Sequence, residues 1–332
     1  MAKGYNPTEY MYSSARIRVL ETRIATRERL RHIADADSSE AVMSQLGDFG
    51  FGASGTEATE RESALEGALL NGYSEIESME CAGVVDFWRY QYDANNIKAV
   101  IKCASRGVDP ESMLSALGTV SVERARDAFN TKDYSVFPKN IAAAIPEAEE
   151  AFAATSNPQK IDFIIDRACF ADMLDSAQRS GIALAQKLVR AKIDLVNIMV
   201  TLRVLRMNLG VVAQGILDEA YIDGGSYDKD FFISALGDGE EELATRLLRG
   251  EYESLAAAML DGATLGVLER RVDDILMGIA KEARYVSFGA EIAIGYIVAL
   301  EYEVKNIRII LAGKDAGLSA DVIRERLRDC YA

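Results

Sequence analysis

The stretch that decides the fold is residues 290–313, AEIAIGYIVALEYEVKNIRIILAG. Apolar residues recur in it at steps of three and four, with charged residues between them, which is typical of an amphipathic helix with a wide buried face. At 24 residues and about 1.5 Å per residue, such a helix spans roughly 36 Å. Gly313, followed by Lys314, predicts the end of the helix, since glycine readily adopts the left-handed conformation found at helix ends.

This helix contains a short signature: an acidic residue, two further residues, then Asn-Ile. The same signature occurs twice earlier in the chain, and the three asparagines are 101 and then 109 residues apart. Because a pattern that recurs at near-equal spacing is typical of internal repeats, we expect a threefold repeat of one helical unit. The copies consist of Asp93, Asn96 and Ile97, of Asp194, Asn197 and Ile198, and of Glu303, Asn306 and Ile307.

The acid and the asparagine of each copy are three residues apart, which places them on neighbouring parts of one helical face. Since a buried asparagine needs hydrogen-bond partners, one interpretation is structural: each acid and amide pins a crossing helix or loop at the same place in every repeat. The other is a carboxylate site for catalysis or metal binding. That site would require the copies to converge and a histidine or further acids to join them. We favour the structural interpretation.

Length and composition predict a multi-domain, all-α protein. A chain of 332 residues is too long for one ordinary core. Apolar residues make up 49% of it, and only five prolines interrupt it, so long helices can run unbroken. No stretch shows the sustained alternation of a strand. The signatures and loops together predict three repeats, at about 1–120, 121–227 and 228–332, and the N-terminal helix could pack on a different repeat.

The formal charge of −15 argues against binding nucleic acid or an anionic lipid surface, and a basic protein partner is a better electrostatic match. The longest strongly apolar run, residues 292–300, has nine residues. A membrane span needs roughly 20, so none is expected. The N-terminus shows no apolar segment typical of a secretory signal. Residues 1–33 are locally basic, with seven basic and three acidic side chains. They form either a solvated face paired with acids elsewhere or a functional patch.

No catalytic, metal-binding or cofactor-binding residues are predicted. The single histidine is His32, and the four cysteines form no C-x-x-C motif, so neither a zinc site nor a Cys-His nucleophile can be assembled locally. We expect reduced, buried thiols. Residues 50–55, GFGASG, match G-x-G-x-x-G, but a dinucleotide site needs a preceding strand, and the preceding sequence is helical. We therefore interpret this segment as a flexible interhelical loop.

The start of the chain predicts one long helix. Asn6 can cap it, Pro7 suits its first position, and Glu9 can reach back to the cap amide. The apolar pattern then continues to about Ile33.

Four segments of the chain resemble those of a known family: YMYSSARIRVLETRIATRERL (10–30), YDANNIK (92–98), LVRAKIDLVNIM (188–199) and FGAEIAIGYIVALEYEVKNIRIILAGKDAGLSADVIRERLRDCYA (288–332). The final segment, residues 288–332, is the most specific part of the match. Through these segments, and over essentially its whole length, the chain resembles the C subunit of the archaeal and bacterial vacuolar-type rotary ATPases, which is called the d subunit in the eukaryotic vacuolar enzyme.

The resemblance implies an all-helical, funnel-shaped protein of three similar domains around a pseudo-threefold axis, with a central cavity. It also implies a non-catalytic rotor adaptor in the central stalk of a rotary ATPase, without a cofactor. The implied partners are the shaft subunits of the soluble head and the membrane proteolipid ring, at the cytoplasmic side of the membrane. The adaptor couples them for ATP-driven ion transport or ATP synthesis. A free helical-repeat scaffold protein is the alternative.

Overall fold

The computed structural model describes residues 5–47 and 57–332, and every regular element within these ranges is a helix. The predicted all-α class is therefore confirmed. The glycine-rich segment 50–55 lies outside the described residues. In chain order the α-helices are α1 (Met11–Glu21), α2 (Arg27–Ile33), α3 (Ser39–Gly47), α4 (Ala58–Glu77), α5 (Asp86–Ala104), α6 (Val122–Thr131), α7 (Lys139–Thr155), α8 (Pro158–Ser180), α9 (Ala183–Met207), α10 (Val212–Ala220), α11 (Lys229–Asp238), α12 (Glu240–Leu247), α13 (Glu253–Leu260), α14 (Leu265–Ala280), α15 (Glu291–Asp315) and α16 (Ala320–Arg326). Short 3₁₀ helices cover Pro7–Tyr10, Glu111–Met113 and Lys281–Tyr285.

The helices form two compact units. The first consists of residues 86–260 and is built around α9, which packs against α8, α10 and α11. Fourteen of the 25 residues of α9 are buried, so this helix has little solvent-facing surface. Helix α8 in turn packs against α5 and α7. The second signature therefore lies in the most buried helix of this unit.

The second unit consists of residues 5–47, 57–85 and 261–332, and α15 is its central helix. This helix packs against α1, α2, α3, α4, α14 and α16. Residues 292–300 are buried without interruption, so α15 is enclosed on all sides there rather than on one face. No helix in the described part of either unit combines the length and apolar character needed to cross a bilayer.

The predicted end of α15 at Gly313 is wrong. The helix continues to Asp315, and Gly317 supplies the left-handed residue, with φ of +67°. The amide of Gly317 donates to the carbonyl of Lys314 and that of Leu318 to Gly313, which is a Schellman motif. Gly313 serves close packing instead, because a Cβ there would lie 2.6 Å from Cγ1 of Ile323.

The predicted single helix from Pro7 to Ile33 is also wrong. Helix α1 ends at Glu21, and α2 begins after Thr26, whose side chain accepts a hydrogen bond from the amide of Arg29. Between the two helices Ile24 and Ala25 are buried, with 5% and 6% exposure. Tertiary burial of this turn outweighs the local helical pattern of the sequence.

Three arginines of the basic N-terminal segment form ion pairs with acids of the second unit. Arg18 also donates to the carbonyls of Ala283 and Val286, which attaches α1 to the 3₁₀ helix before α15. These contacts fit the interpretation of a solvated face that bridges to acids. The ion pairs are Arg16 with Glu75, Arg18 with Glu21, and Arg27 with Asp329.

Close packing of α15 makes Gly295 intolerant of a side chain. A Cβ there would lie 2.5 Å from Cβ of Ala283 and 3.2 Å from the carbonyl oxygen of Ala280, and neither atom can rotate away. We expect Gly295→Ala to lower the free energy of unfolding by about 1–3 kcal/mol. Gly278→Ala is the matched control, because Gly278 is exposed in α14 with nothing within 4 Å of its Cβ position. It should raise stability by up to about 1 kcal/mol. Equal effects of the two changes in urea denaturation would contradict this packing argument.

Candidate functional site

The asparagine of each signature pairs with the backbone of a single residue in the segment that follows its helix. Its Nδ2 donates to the carbonyl of that residue and its Oδ1 accepts from the amide of the same residue, so the side chain mimics a peptide group. All three asparagines are at most 2% exposed. The pairs, with the carbonyl and amide distances in that order, are Asn96 with Ser115 (2.8 and 2.8 Å), Asn197 with Ile222 (2.8 and 3.0 Å) and Asn306 with Arg328 (3.4 and 2.7 Å).

The acids of the first two signatures bind the same segments a little further along. In both copies the carboxylate accepts from two consecutive backbone amides, and the first of them follows the asparagine-bound residue by four positions. A carboxylate that accepts backbone N–H groups is a strong, charge-assisted tie. The donors are Thr119 and Val120, both at 3.1 Å from Asp93, and Ser226 and Tyr227, at 2.7 and 3.4 Å from Asp194.

A glycine precedes the first donor in both copies, because the carboxylate occupies the space where a side chain would stand. A Cβ on Gly118 would lie 2.3 Å from Oδ1 of Asp93, and a Cβ on Gly225 would lie 2.2 Å from Oδ1 of Asp194. Reasoning from the sequence missed these glycines. In the sequence each of these glycines begins a four-residue pattern: glycine, a residue with a hydroxyl group, any residue, and the N-cap of the next helix. The two copies are GTVS at 118–121 and GSYD at 225–228.

The third signature uses its acid differently. Glu303 is one methylene longer than aspartate, and its Oε1 accepts from the amide of Ala25 at 2.7 Å. Ala25 directly precedes Thr26, the N-cap of α2. In the first two copies the bound amides likewise lie one or two residues before an N-cap, that of α6 or α11. Each acid thus holds the entrance of a helix, and in the third copy that helix is close to the N-terminus.

Burial dominates the electrostatics of Asp93 and Glu303. It raises the pKa of Asp93 despite the hydrogen bonds from Thr119 and Val120, which act in the opposite direction. It raises the pKa of Glu303 to about 7, against the hydrogen bond from Ala25 and the charge of Arg29. Asp194 receives a further hydrogen bond from the buried hydroxyl of Tyr252 at 2.8 Å.

The first two signatures form separate sites. Among the described residues, Asp93 and Asn96 share no hydrogen-bond partner with Asp194 and Asn197, although both pairs lie in the first unit. Within residues 5–47 and 57–332, no three His, Cys, Asp or Glu side chains are grouped so that they could hold a metal ion. The chemistry available to each pair is the holding of backbone amides and carbonyls, which fits the structural interpretation.

Removal of one asparagine tests this role. Asn96→Ala leaves the amide and carbonyl of Ser115 without their partner, and we expect the free energy of unfolding to fall by about 1–3 kcal/mol. The cost should be larger for Asn197→Ala, because its partner Ile222 is only 3% exposed. Asn95→Ala is the matched control: it is the preceding residue of the same helix, and it is exposed. If Asn95→Ala and Asn96→Ala shift the urea midpoint equally, the asparagines do not act as ties.

The buried Glu303 predicts a pH-dependent stability. Its pKa is raised from 4.5 to about 7, so between these values the folded chain keeps a proton that the unfolded chain releases, and stability falls as pH rises. Glu303→Gln removes this dependence and keeps an acceptor for Ala25. Between pH 5 and 8 we expect wild type to lose about 1–3 kcal/mol relative to this variant in urea denaturation. The exposed Glu325→Gln controls for the loss of one charge, and a parallel pH profile of wild type and Glu303→Gln would refute the assignment.

Comparisons with known proteins agree with the resemblance seen in the sequence. The family model of the ATP synthase (C/AC39) subunit matches residues 13–326. The C subunit of the V-type sodium ATPase of Enterococcus hirae is 25% identical over 250 residues, which cover 75% of each chain. The C subunit of the A-type ATP synthase of Haloferax volcanii is 27% identical over 71% of each chain. That of Thermococcus kodakarensis is 22% identical over 96% of this chain and 90% of its own. The chain therefore belongs to the family of C subunits of the V-type and A-type rotary ATPases.

Proposed function

We propose that the chain is a non-catalytic adaptor in the central stalk of a V-type or A-type rotary ATPase. In this role it joins the central shaft of the soluble head to the proteolipid ring, and so couples ATP turnover to ion transport or to ATP synthesis. The observation that carries the proposal is the family match over residues 13–326, together with relatives named as C subunits of a sodium ATPase and of ATP synthases. The adaptor acts at the cytoplasmic side, peripheral to the membrane.

The same proposal includes three similar helical domains around a pseudo-threefold axis, at 1–120, 121–227 and 228–332. The hydrogen bonds of the first two signatures support these boundaries. In both copies the N-cap of the next helix follows the asparagine-bound residue by six positions. Those N-caps are Ser121 and Asp228, the first residues of the second domain and of the third.

The third signature suggests how the last of the three proposed domains is joined to the first. Glu303 of the last domain binds the amide before the N-cap of α2, which belongs to the first domain. Helix α1 also packs against α15 within the second unit. In the first two copies the acid holds the first helix of the following domain, and in the third copy it holds α2, the second α-helix of the first domain. A ring of three domains, each joined to the next, is what a funnel around a central cavity requires. Such a ring resists shear because buried hydrogen bonds connect each domain to the following one.

Charge supports a basic partner for the cavity. The chain has a formal charge of −15, and complementary charge speeds docking and fixes its register. We expect the tip of the shaft that enters the cavity to be basic. The proteolipid ring would be held by the opposite end of the funnel, without a membrane span of this chain.

Reconstitution of the rotary ATPase with and without this chain tests the proposal. With the chain, ATP hydrolysis should drive ion transport into vesicles, followed by an ion-sensitive dye. Without it, hydrolysis by the head should continue while transport is lost, because torque no longer reaches the ring. Normal ATP-driven transport without the chain would overturn the adaptor role. Binding of the chain to soluble partners but not to the ring or shaft would instead favour a free helical-repeat scaffold.

A further inference from the structure

Three exposed aromatic side chains lie on one face of the second unit. Tyr12, Tyr285 and Phe288 are 63%, 90% and 39% exposed. Every other aromatic side chain within residues 5–47 and 57–332 is buried or half-buried. Single exposed apolar residues are normal on a protein surface, whereas a cluster of them marks an interaction site.

The outer side of α1 is apolar. The inner side of this helix packs on α15. On the outer side Met11, Ala15 and Val19 follow one another at steps of four residues and form a stripe, with Tyr12 beside it. Met11 and Val19 are 58% and 60% exposed. A helix that packs on one side only normally has a polar outer side, so packing within the unit does not explain this stripe.

The connection between the last 3₁₀ helix and α15 extends the stripe. Two hydrogen bonds hold this connection on α1: the amide of Gly289 donates to Oγ of Ser14 at 3.0 Å, and Arg18 donates to the carbonyl of Val286 at 2.7 Å. Ser14 and Arg18 are each one helical turn from a residue of the stripe, so the connection lies beside it. We call the combined surface the apolar face. It consists of Met11, Tyr12, Ala15, Val19, Tyr285 and Phe288.

The charges that border the apolar face are balanced in sign. The arginines of α1 already have acidic partners, and the 3₁₀ helix contributes one exposed side chain of each sign. The apolar face is therefore close to neutral, although the whole chain has a formal charge of −15. The ion pairs are Arg16 with Glu75 at 2.5 Å and Arg18 with Glu21 at 2.6 Å, and the side chains of the 3₁₀ helix are Glu282 and Arg284.

We propose that the apolar face docks on the cytoplasmic end of the proteolipid ring, an inference that rests on the proposed function. The other partner of the adaptor, the shaft tip, is expected to be basic, and a neutral face offers it no electrostatic attraction. An anionic lipid surface is disfavoured for the same reason. A weakly charged surface of membrane subunits is bound through the burial of apolar area, which this face offers.

The residue types and their support suit such a contact. Aromatic side chains and methionine are enriched in the buried centre of protein interfaces. Helix α1 and the two hydrogen bonds of the connection fix the backbone of the apolar face before docking. Less conformational entropy is then lost on binding, so more of the buried apolar area contributes to affinity.

Binding of the isolated full chain to an immobilised, detergent-solubilised ring tests the proposal by surface plasmon resonance. Tyr285→Ala and Tyr12→Ala should each weaken binding by about tenfold or more, since large aromatic side chains carry much of the affinity of an interface. Val211→Ala is the matched control and should leave the affinity unchanged, because Val211 is 100% exposed and lies in the first unit. Circular dichroism establishes that each variant is folded.

Two further measurements separate this face from the shaft contact. Raising the salt concentration from about 0.05 to 0.5 M should leave ring binding nearly unchanged, because salt screens charges and not apolar burial. Binding of the shaft subunits to Tyr285→Ala and Tyr12→Ala should match that of wild type.

Equal ring affinity of Tyr285→Ala, Tyr12→Ala and Val211→Ala would overturn the docking site and leave the adaptor role intact. Weakened shaft binding with unchanged ring binding would overturn it as well, and would assign the apolar face to the shaft. Binding of wild type, but not of the two tyrosine variants, to protein-free vesicles of anionic phospholipid would assign the face to lipid instead. Failure of wild type itself to bind the ring would contradict the proposed function.

Discussion

The structure depends on one repeated interaction, the pairing of a buried asparagine side chain with both backbone groups of a single residue. A loop that crosses a buried helix brings amides and carbonyls out of water, and each must find a partner. Asparagine offers a donor and an acceptor in one plane, at the spacing of a peptide group. Asn96, Asn197 and Asn306 use this property in the same way, so the segment after each signature helix is held at the same place.

The neighbouring acid extends the tie to the start of the next helix. Asp93 and Asp194 accept amides just before the helices α6 and α11, and Gly118 and Gly225 leave the room that the carboxylates need. The acid, the asparagine, the glycine and the N-cap therefore form one unit of local structure. Its parts are constrained together, because a side chain on either glycine would occupy the position of a carboxylate oxygen.

Glu303 shows that the acid of a signature can also bind a segment far away in sequence. Its longer side chain reaches Ala25, 278 residues away in sequence, and ties the central helix of the second unit to the N-terminal turn. The burial that accompanies this contact also raises the pKa of Glu303 to about 7. In the proposed adaptor role such a junction would contribute stiffness, and the protonation of Glu303 connects the stability of the fold to pH.

The sequence by itself determined the helical class, the central helix 290–313 and the three signatures, because periodicity and spacing are local properties of the chain. It did not determine the partners of the signature residues, the break between α1 and α2, or the packing role of Gly313. The turn around Ala25 follows a helical pattern, and the helix is interrupted where Ala25 is buried and donates its amide to Glu303. Those features arise from contacts between residues far apart in sequence, and only the tertiary structure decides which distant groups meet.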